Sequence, residues 1–197
     1  AQLRAPLGTP RGVLEEFLRE KRAWILRQQA RMEKIPARQV YDGAVRRILG
    51  RDVTLRVIPS PGGTSHSYRC GDTVYLELDT HADVQQAYDA FCKHAACDYF
   101  TGVAQKLYPL FEGAVPMPVI SVRKMRTRWG SCTTGKGTIR LNLYLYEASP
   151  ECVEAVVLHE MAHLLYPNHG PAFYAFLHAH MPQYDALRRQ LTETVRF

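Results

Sequence analysis

Val157-Leu158-His159-Glu160-Met161-Ala162-His163 decides how the rest of this 197-residue chain is read. His159 and His163 are four residues apart, so on a helix both imidazoles leave one face about one turn apart, within reach of a single ion. Glu160 follows the first histidine directly. It cannot easily share the coordination shell, but it can reach a water on the open side of the metal. Two ligands and a general base thus sit on one helical turn, the H-E-x-x-H arrangement. The flanks predict a helix from about residue 149 to 166. Ser149 can cap it, Pro150 suits the first helical position and Glu151 complements the dipole. Val153, Val156, Val157 and Leu164 supply an apolar face, and Pro167 stops the helix. The competing reading is a metal-free pair of histidines at the end of a buried helix.

A catalytic zinc takes a third protein ligand and keeps a fourth position open. Downstream stand His169, His178, His180 and Asp185. His169 is the best placed, because Pro167-Asn168 turns the chain and Gly170-Pro171 opens a new helix, leaving His169 at the corner. His178 and His180 lie further into that helix and are expected to face solvent. His66, His81 and His94 have no ligand spacing.

Outward from this stretch the pattern is α+β. Thr9-Pro10 predicts a helix start, a capping hydroxyl followed by proline at the first helical position. Leu14, Phe17, Leu18, Lys21, Trp24 and Ile25 then fall on one stripe, and the pattern fades before Pro36. Val53 to Ile58 alternates as a strand. Ser67–Cys70 and Thr73–Leu78 flank Gly71-Asp72, a two-residue hairpin turn. Asp79-Thr80 introduces a long helix ending before Pro109. A strand from Pro118 to Lys124, a loop around Trp129-Gly130-Ser131 and a strand from Thr138 to Leu143 precede the metal helix. A last helical region starts at Pro171 and breaks at Pro182. One domain over residues 1–197 accounts for the whole pattern.

Composition narrows the class. The chain is 46% hydrophobic and 22% charged, with mean hydropathy −0.25, which excludes disorder and low-complexity scaffolding. No apolar stretch approaches the ~18–20 residues that cross a bilayer, so no membrane partner is expected. Five cysteines, an odd number without a C-x-x-C pair, read as reduced and mostly buried thiols. With no signal peptide visible from Ala1, a cytoplasmic location is expected. The net charge of +6 is uneven: six basic residues and no acid lie between Gly113 and Arg140, and five acids and no Lys or Arg between Leu141 and Leu187. A basic strand–loop thus precedes an acidic metal helix. Nucleic acid is a possible partner but not a required one.

Several of these segments together resemble the YgjP-like family of metallopeptidases, relatives of the SprT-like zinc proteins within the wider zincin group. The residues that carry the resemblance are His159-Glu160-Met-Ala-His163 and Asn168-His169-Gly-Pro-x-Phe173. Upstream lie Arg126-Thr-Arg128-Trp129-Gly130-Ser131-Cys132 and Ile139-Arg-Leu141-Asn142. The match is strong over 119–191, the metal-site core, and continues more weakly back to Leu14, with Leu18-x-x-Lys21-x-x-Trp24-Ile25 as the first helix. The resemblance implies a small zincin-like domain, a mixed or antiparallel sheet packed against the H-E-x-x-H helix. It implies one Zn2+ held by His159, His163 and His169, with Glu160 as base. The family opens with strands ahead of the first helix, so residues 1–8 are expected to be the tail of an incomplete N-terminal sheet region. Ala155 replaces an aromatic, and Tyr174 stands where the family often has Trp.

Metal-assisted hydrolysis follows, with Glu160 accepting a proton from water and returning it to the leaving group. Candidate oxyanion partners are Tyr166, Tyr174 and Arg128, and Trp129 could stack on substrate. Arg123, Lys124, Arg126 and Arg128 alternate and are expected to project to one side, either as charge protecting an edge strand or as a cationic wall for an anionic ligand. Three functions fit: a zinc peptidase acting on peptide or protein, a phosphoanhydride hydrolase acting on nucleotides (an activity linked to the family), and a nucleic-acid-binding module with structural zinc. Glu160 disfavours the last, because a structural site has no use for a base there.

Overall fold

The computed structural model describes residues 5–33, 39–60, 63–111 and 113–195. The chain separates at residue 38 into two units. The first carries helix α1, Arg11–Glu33. Thr9 does not cap it: its hydroxyl donates back to the Pro6 carbonyl at 2.7 Å, while Val13 and Leu14 donate to the Pro10 carbonyl. Pro10 therefore precedes the helix rather than opening it. Of the expected apolar stripe, Leu14 and Ile25 are half-buried and Phe17, Leu18 and Trp24 are exposed. Pro36, where the pattern was expected to fade, lies outside the described residues, as do residues 1–4 of the expected N-terminal sheet tail.

The second unit begins with β1, Val45–Ile48, and β2, Arg51–Pro59, antiparallel about Leu49-Gly50. Strand β1 is absent from the sequence reading. Both turn residues have positive φ, 51° and 75°, which is the handedness a tight hairpin needs. Strands β3, His66–Cys70, and β4, Thr73–Leu78, form the expected hairpin, with Gly71 at φ 57°. The order is β1-β2-β4-β3, so β4 returns to pair parallel with β2. Val53, Leu55, Val74, Leu76 and Leu78 alternate onto the buried face.

Helix α2, Val84–Leu107, packs against β4, the strand Val119–Arg123 and the helix Pro150–Ala162, and buries residues spaced at helical intervals, among them Tyr88, Cys92, Ala96, Phe100 and Ala104. It starts later than Asp79-Thr80 suggested. The Asp79 carboxylate accepts from the His81 N–H and holds a non-helical turn, and Asp83 caps instead by accepting from Gln86 N at 3.0 Å.

A second sheet has the order β5-β7-β6, with β5 Val119–Arg123, β6 Gly130–Thr133 and β7 Thr138–Asn142. Strands β5 and β7 are parallel, and β6 is antiparallel to β7. Gly130 and Ser131, expected in a loop, are thus the start of an edge strand. Asn142, fully buried, ties the segment before β6 to the sheet. Its amide donates to the carbonyls of Met125 and Arg128, both at 2.9 Å, and its oxygen accepts from Met125 N.

Helix α3, Pro150–Ala162, follows with Ser149 as its cap, accepting from Cys152 N at 3.4 Å. It is buried on nearly every side, in contact with α2, β6 and the last helices, α4 Pro171–His180 and α5 Tyr184–Thr194. It ends at Ala162 rather than near Tyr166, because residues 163–165 tighten into a turn. The expected break at Pro182 lies between α4 and α5. This is the expected α+β class with mixed sheets. Cys92 and Cys152 are buried, Cys97 and Cys132 intermediate and Cys70 exposed, none of them in a disulfide. No helix of the described residues is long and apolar enough to cross a membrane.

Candidate metal centre and active site

His159 and His163 leave the last turn of α3 with their rings edge-to-face, centroids 4.9 Å apart. Beyond His163 the chain reverses. Tyr166 N donates to the Ala162 carbonyl, and Gly170 N to the Asn168 carbonyl at 2.8 Å, so His169 turns back toward the helix. Its ring centroid lies 4.7 Å from that of His163 and 5.0 Å from that of His159. Phe173 on α4, fully buried, touches all three imidazoles with centroids 4.8 to 5.0 Å away. The packing thus leaves the rings little freedom to diverge.

The nitrogens converge. One ring nitrogen from each histidine falls within 4.8 Å of the other two, and His159 Nε2 and His169 Nε2 are 3.2 Å apart. Two nitrogens at ~2.05 Å from one tetrahedral zinc would lie about 3.3 Å apart, so this spacing fits such an ion. The opposite nitrogens are engaged: His163 Nδ1 with the Tyr166 carbonyl at 3.2 Å, and His159 Nδ1 with the Tyr184 hydroxyl at 2.7 Å. Such outer contacts fix tautomer and ring orientation in metal sites. Burial also holds His159 well below its ordinary pKa, at about 3, helped by the charges of His163, His169 and Arg188. Burial lowers His163 as well, against the raising effect of its bond to Tyr166. Neutral imidazoles are what a metal binds.

Glu160 is 6% exposed and lines a cavity of about 290 Å³ beside the histidines. Burial raises its pKa to about 7, opposed by the charge of Arg128. Strand β6 passes directly over it. A Cβ built on Gly130 would stand 2.5 Å from Glu160 Oε1, 2.6 Å from Cγ and 2.7 Å from Cδ. The glycine of Trp129-Gly130-Ser131 is therefore demanded by close approach, since its φ is not positive.

Of the other sequence candidates, Arg128, Trp129 and Tyr174 line the cavity. Arg126 and Tyr166 do not. Tyr166 turns its ring onto Phe176, centroids 5.7 Å apart, and offers only its carbonyl to His163. Nor do the four basic residues form one wall. Strand β5 ends at Arg123, so alternation lapses, and Lys124 pairs with Asp89 on α2. His178 and His180 are exposed, as expected, with His178 bonded to Asp185 at 3.0 Å. Sequence reasoning missed Tyr184 and Arg188, which α5 brings to the cavity one helical turn apart. Neither has a spacing relation to the motif. Phe173 was visible only as part of the family pattern.

No curated protein matches this chain. The solved structures similar to it include two that cover about half of it. The metallopeptidase zymogen of Methanocaldococcus jannaschii jannalysin is 20% identical at a TM-score of 0.42, covering 48% of this chain and 94% of that one. The metallopeptidase zymogen of Pyrococcus abyssi abylysin is 17% identical at 0.43, covering 48% and 93%. The family described as YgjP-like, metallopeptidase domain, matches residues 1–194, and with nearly the whole length included, the chain belongs to that family.

Proposed function

We infer that the protein is a zinc-dependent metallopeptidase in which His159, His163 and His169 hold the ion and Glu160 is the general base. The observation that carries the reading is the convergence of three imidazoles beside a buried carboxylate, under the edge of β6. A bound zinc supplies Lewis acidity, polarising the scissile carbonyl and lowering the pKa of water from ~16 toward ~7. The protein does the rest. The outer edge of β6 carries no strand partner among the described residues, and an extended peptide can add to it. Glu160, poised near neutral pH, takes the proton from the attacking water and delivers it to the departing amine. Tyr174, at the cavity, steadies charge on the carbonyl oxygen.

The test is to incubate zinc-loaded protein with a denatured-protein pool and with a nucleotide panel, each with and without a chelator. Chelator-sensitive peptide fragments, read by mass spectrometry, are the expected result. Pyrophosphate release without peptide products would replace this reading with the phosphoanhydride one. A second expectation concerns Tyr184. Its hydroxyl orients His159, so Tyr184→Phe is expected to weaken zinc binding about tenfold with the fold retained. Competition with a chromophoric chelator measures it, and unchanged affinity would remove Tyr184 from that role.

A further inference from the structure

The cavity beside the histidines has a divided lining. Ala155 and Val156 on α3 and Leu187 and Leu191 on α5 contribute apolar side chains, and Arg128 and Arg188 contribute guanidinium groups. Both are firmly carried. The Arg128 carbonyl is held by buried Asn142, and Arg188 lies one turn beyond Tyr184, which is bonded to His159. Among the described residues neither arginine has a carboxylate within ion-pair distance, and Asp185, the acid three residues before Arg188, is engaged by His178. Among the described residues, Glu160 is the only acid in the cavity lining. Both arginines line the same cavity as His159 and Glu160, so both border the reacting centre.

We propose that Arg128 and Arg188 form a carboxylate-binding subsite, which selects peptides carrying a carboxylate next to an apolar side chain at the scissile bond. The apolar side chain enters between α3 and α5, and the carboxylate meets the two guanidiniums at the mouth. It comes either from an acidic side chain or from the C-terminus of the substrate. At about 290 Å³ the cavity is near the lower limit of ~300 Å³ for ligand pockets, so it suits a single side chain with its terminal group. Phosphate would also attract two arginines, but Ala155, Val156, Leu187 and Leu191 offer no partner for the hydroxyls of a ribose. This inference rests on the peptidase reading.

The experiment compares quenched fluorescent peptides of one sequence, with Glu, Gln or Lys beside the apolar residue, and with a free or an amidated C-terminus. Zinc-loaded protein is expected to cleave one carboxylate-bearing peptide at least tenfold faster in kcat/KM than its neutral counterpart, and which one identifies the source of the carboxylate. Arg128→Gln and Arg188→Gln are each expected to narrow that ratio, and together to bring it within threefold. Arg188→Glu is expected to shift preference toward Lys. Melting temperature and zinc content establish that each variant is folded and loaded. Equal rates for all peptides, or a preference that survives both substitutions, would overturn the subsite while leaving the peptidase reading intact. Binding is read separately by fluorescence anisotropy on Glu160→Gln protein. A carboxylate preference there without turnover in the unsubstituted protein would support the subsite and overturn the peptidase reading alone. Tighter competition by inorganic pyrophosphate than by the carboxylate peptide would overturn the assignment to peptides.

Discussion

Glu160→Gln is expected to leave one zinc bound per chain and to lower kcat on a peptide substrate by about 10²–10⁴-fold. The substitution is nearly isosteric, so the packing under β6 survives, but an amide cannot accept a proton from water at neutral pH. Loss of that transfer raises the barrier by about 3–5 kcal/mol, at ~1.4 kcal/mol per decade. The metal should be indifferent, because the three converging nitrogens belong to histidines and Glu160 is not one of the residues grouped with them. The variant also removes a buried acid whose pKa burial has raised, so its thermal stability is expected to match or exceed that of the parent. Zinc content by atomic emission and kcat by peptide cleavage decide the matter together. Undiminished kcat with full zinc would remove Glu160 as the base. Loss of zinc would make it a structural participant instead.

The part of this site that was legible from sequence is the part built from local geometry. His159, Glu160 and His163 are fixed by helical spacing, Ser149-Pro150 starts their helix, and His169 follows from a turn bracketed by Pro167 and Gly170. The hairpin at Gly71-Asp72 and the helix break at Pro182 are likewise local. What sequence reasoning lost is set by tertiary contact. Strand β1 turns at Leu49, a leucine at φ 51°, where propensity would place Gly or Asn. It is tolerated because Leu49 N is bonded to the Tyr146 carbonyl at 2.8 Å, across nearly a hundred residues of chain. Tyr184 meets His159 from twenty-five residues away, with no periodicity linking them. The basic run from Arg123 to Arg128 looked like one alternating face, but it leaves the strand at Arg123. Lys124 then goes to α2 and Arg128 to the cavity. Only the register of the three-stranded sheet and the hold of Asn142 could have said so.

Gly130→Ala is the second large effect, and it tests whether the strand above Glu160 sets the position of the carboxylate. The added methyl would lie 2.5 to 2.7 Å from three atoms of the Glu160 side chain, against about 3.5 Å for an ordinary contact. Something must move. Gly130 is paired with fully buried Leu141, and Asn142 N donates to the Trp129 carbonyl at 2.8 Å, so β6 is anchored to its sheet at this point. Helix α3 is packed on nearly all sides. The carboxylate, at the far end of a flexible side chain, is the group free to give way, and a displacement near 1 Å at a catalytic group costs roughly 10²-fold in rate. The expected result is a fall in kcat of that order, with zinc retained and stability lowered by about 1–3 kcal/mol from overpacking. A double-mutant cycle isolates the cause. If the methyl acts through Glu160, then Gly130→Ala combined with Glu160→Gln should have the same kcat as Glu160→Gln alone. Full additivity of the two losses would mean that Gly130 serves the reaction by another route, the pairing of β6 with substrate. An unchanged kcat in the single variant would mean that the base tolerates displacement, and the close approach of β6 would then be packing alone.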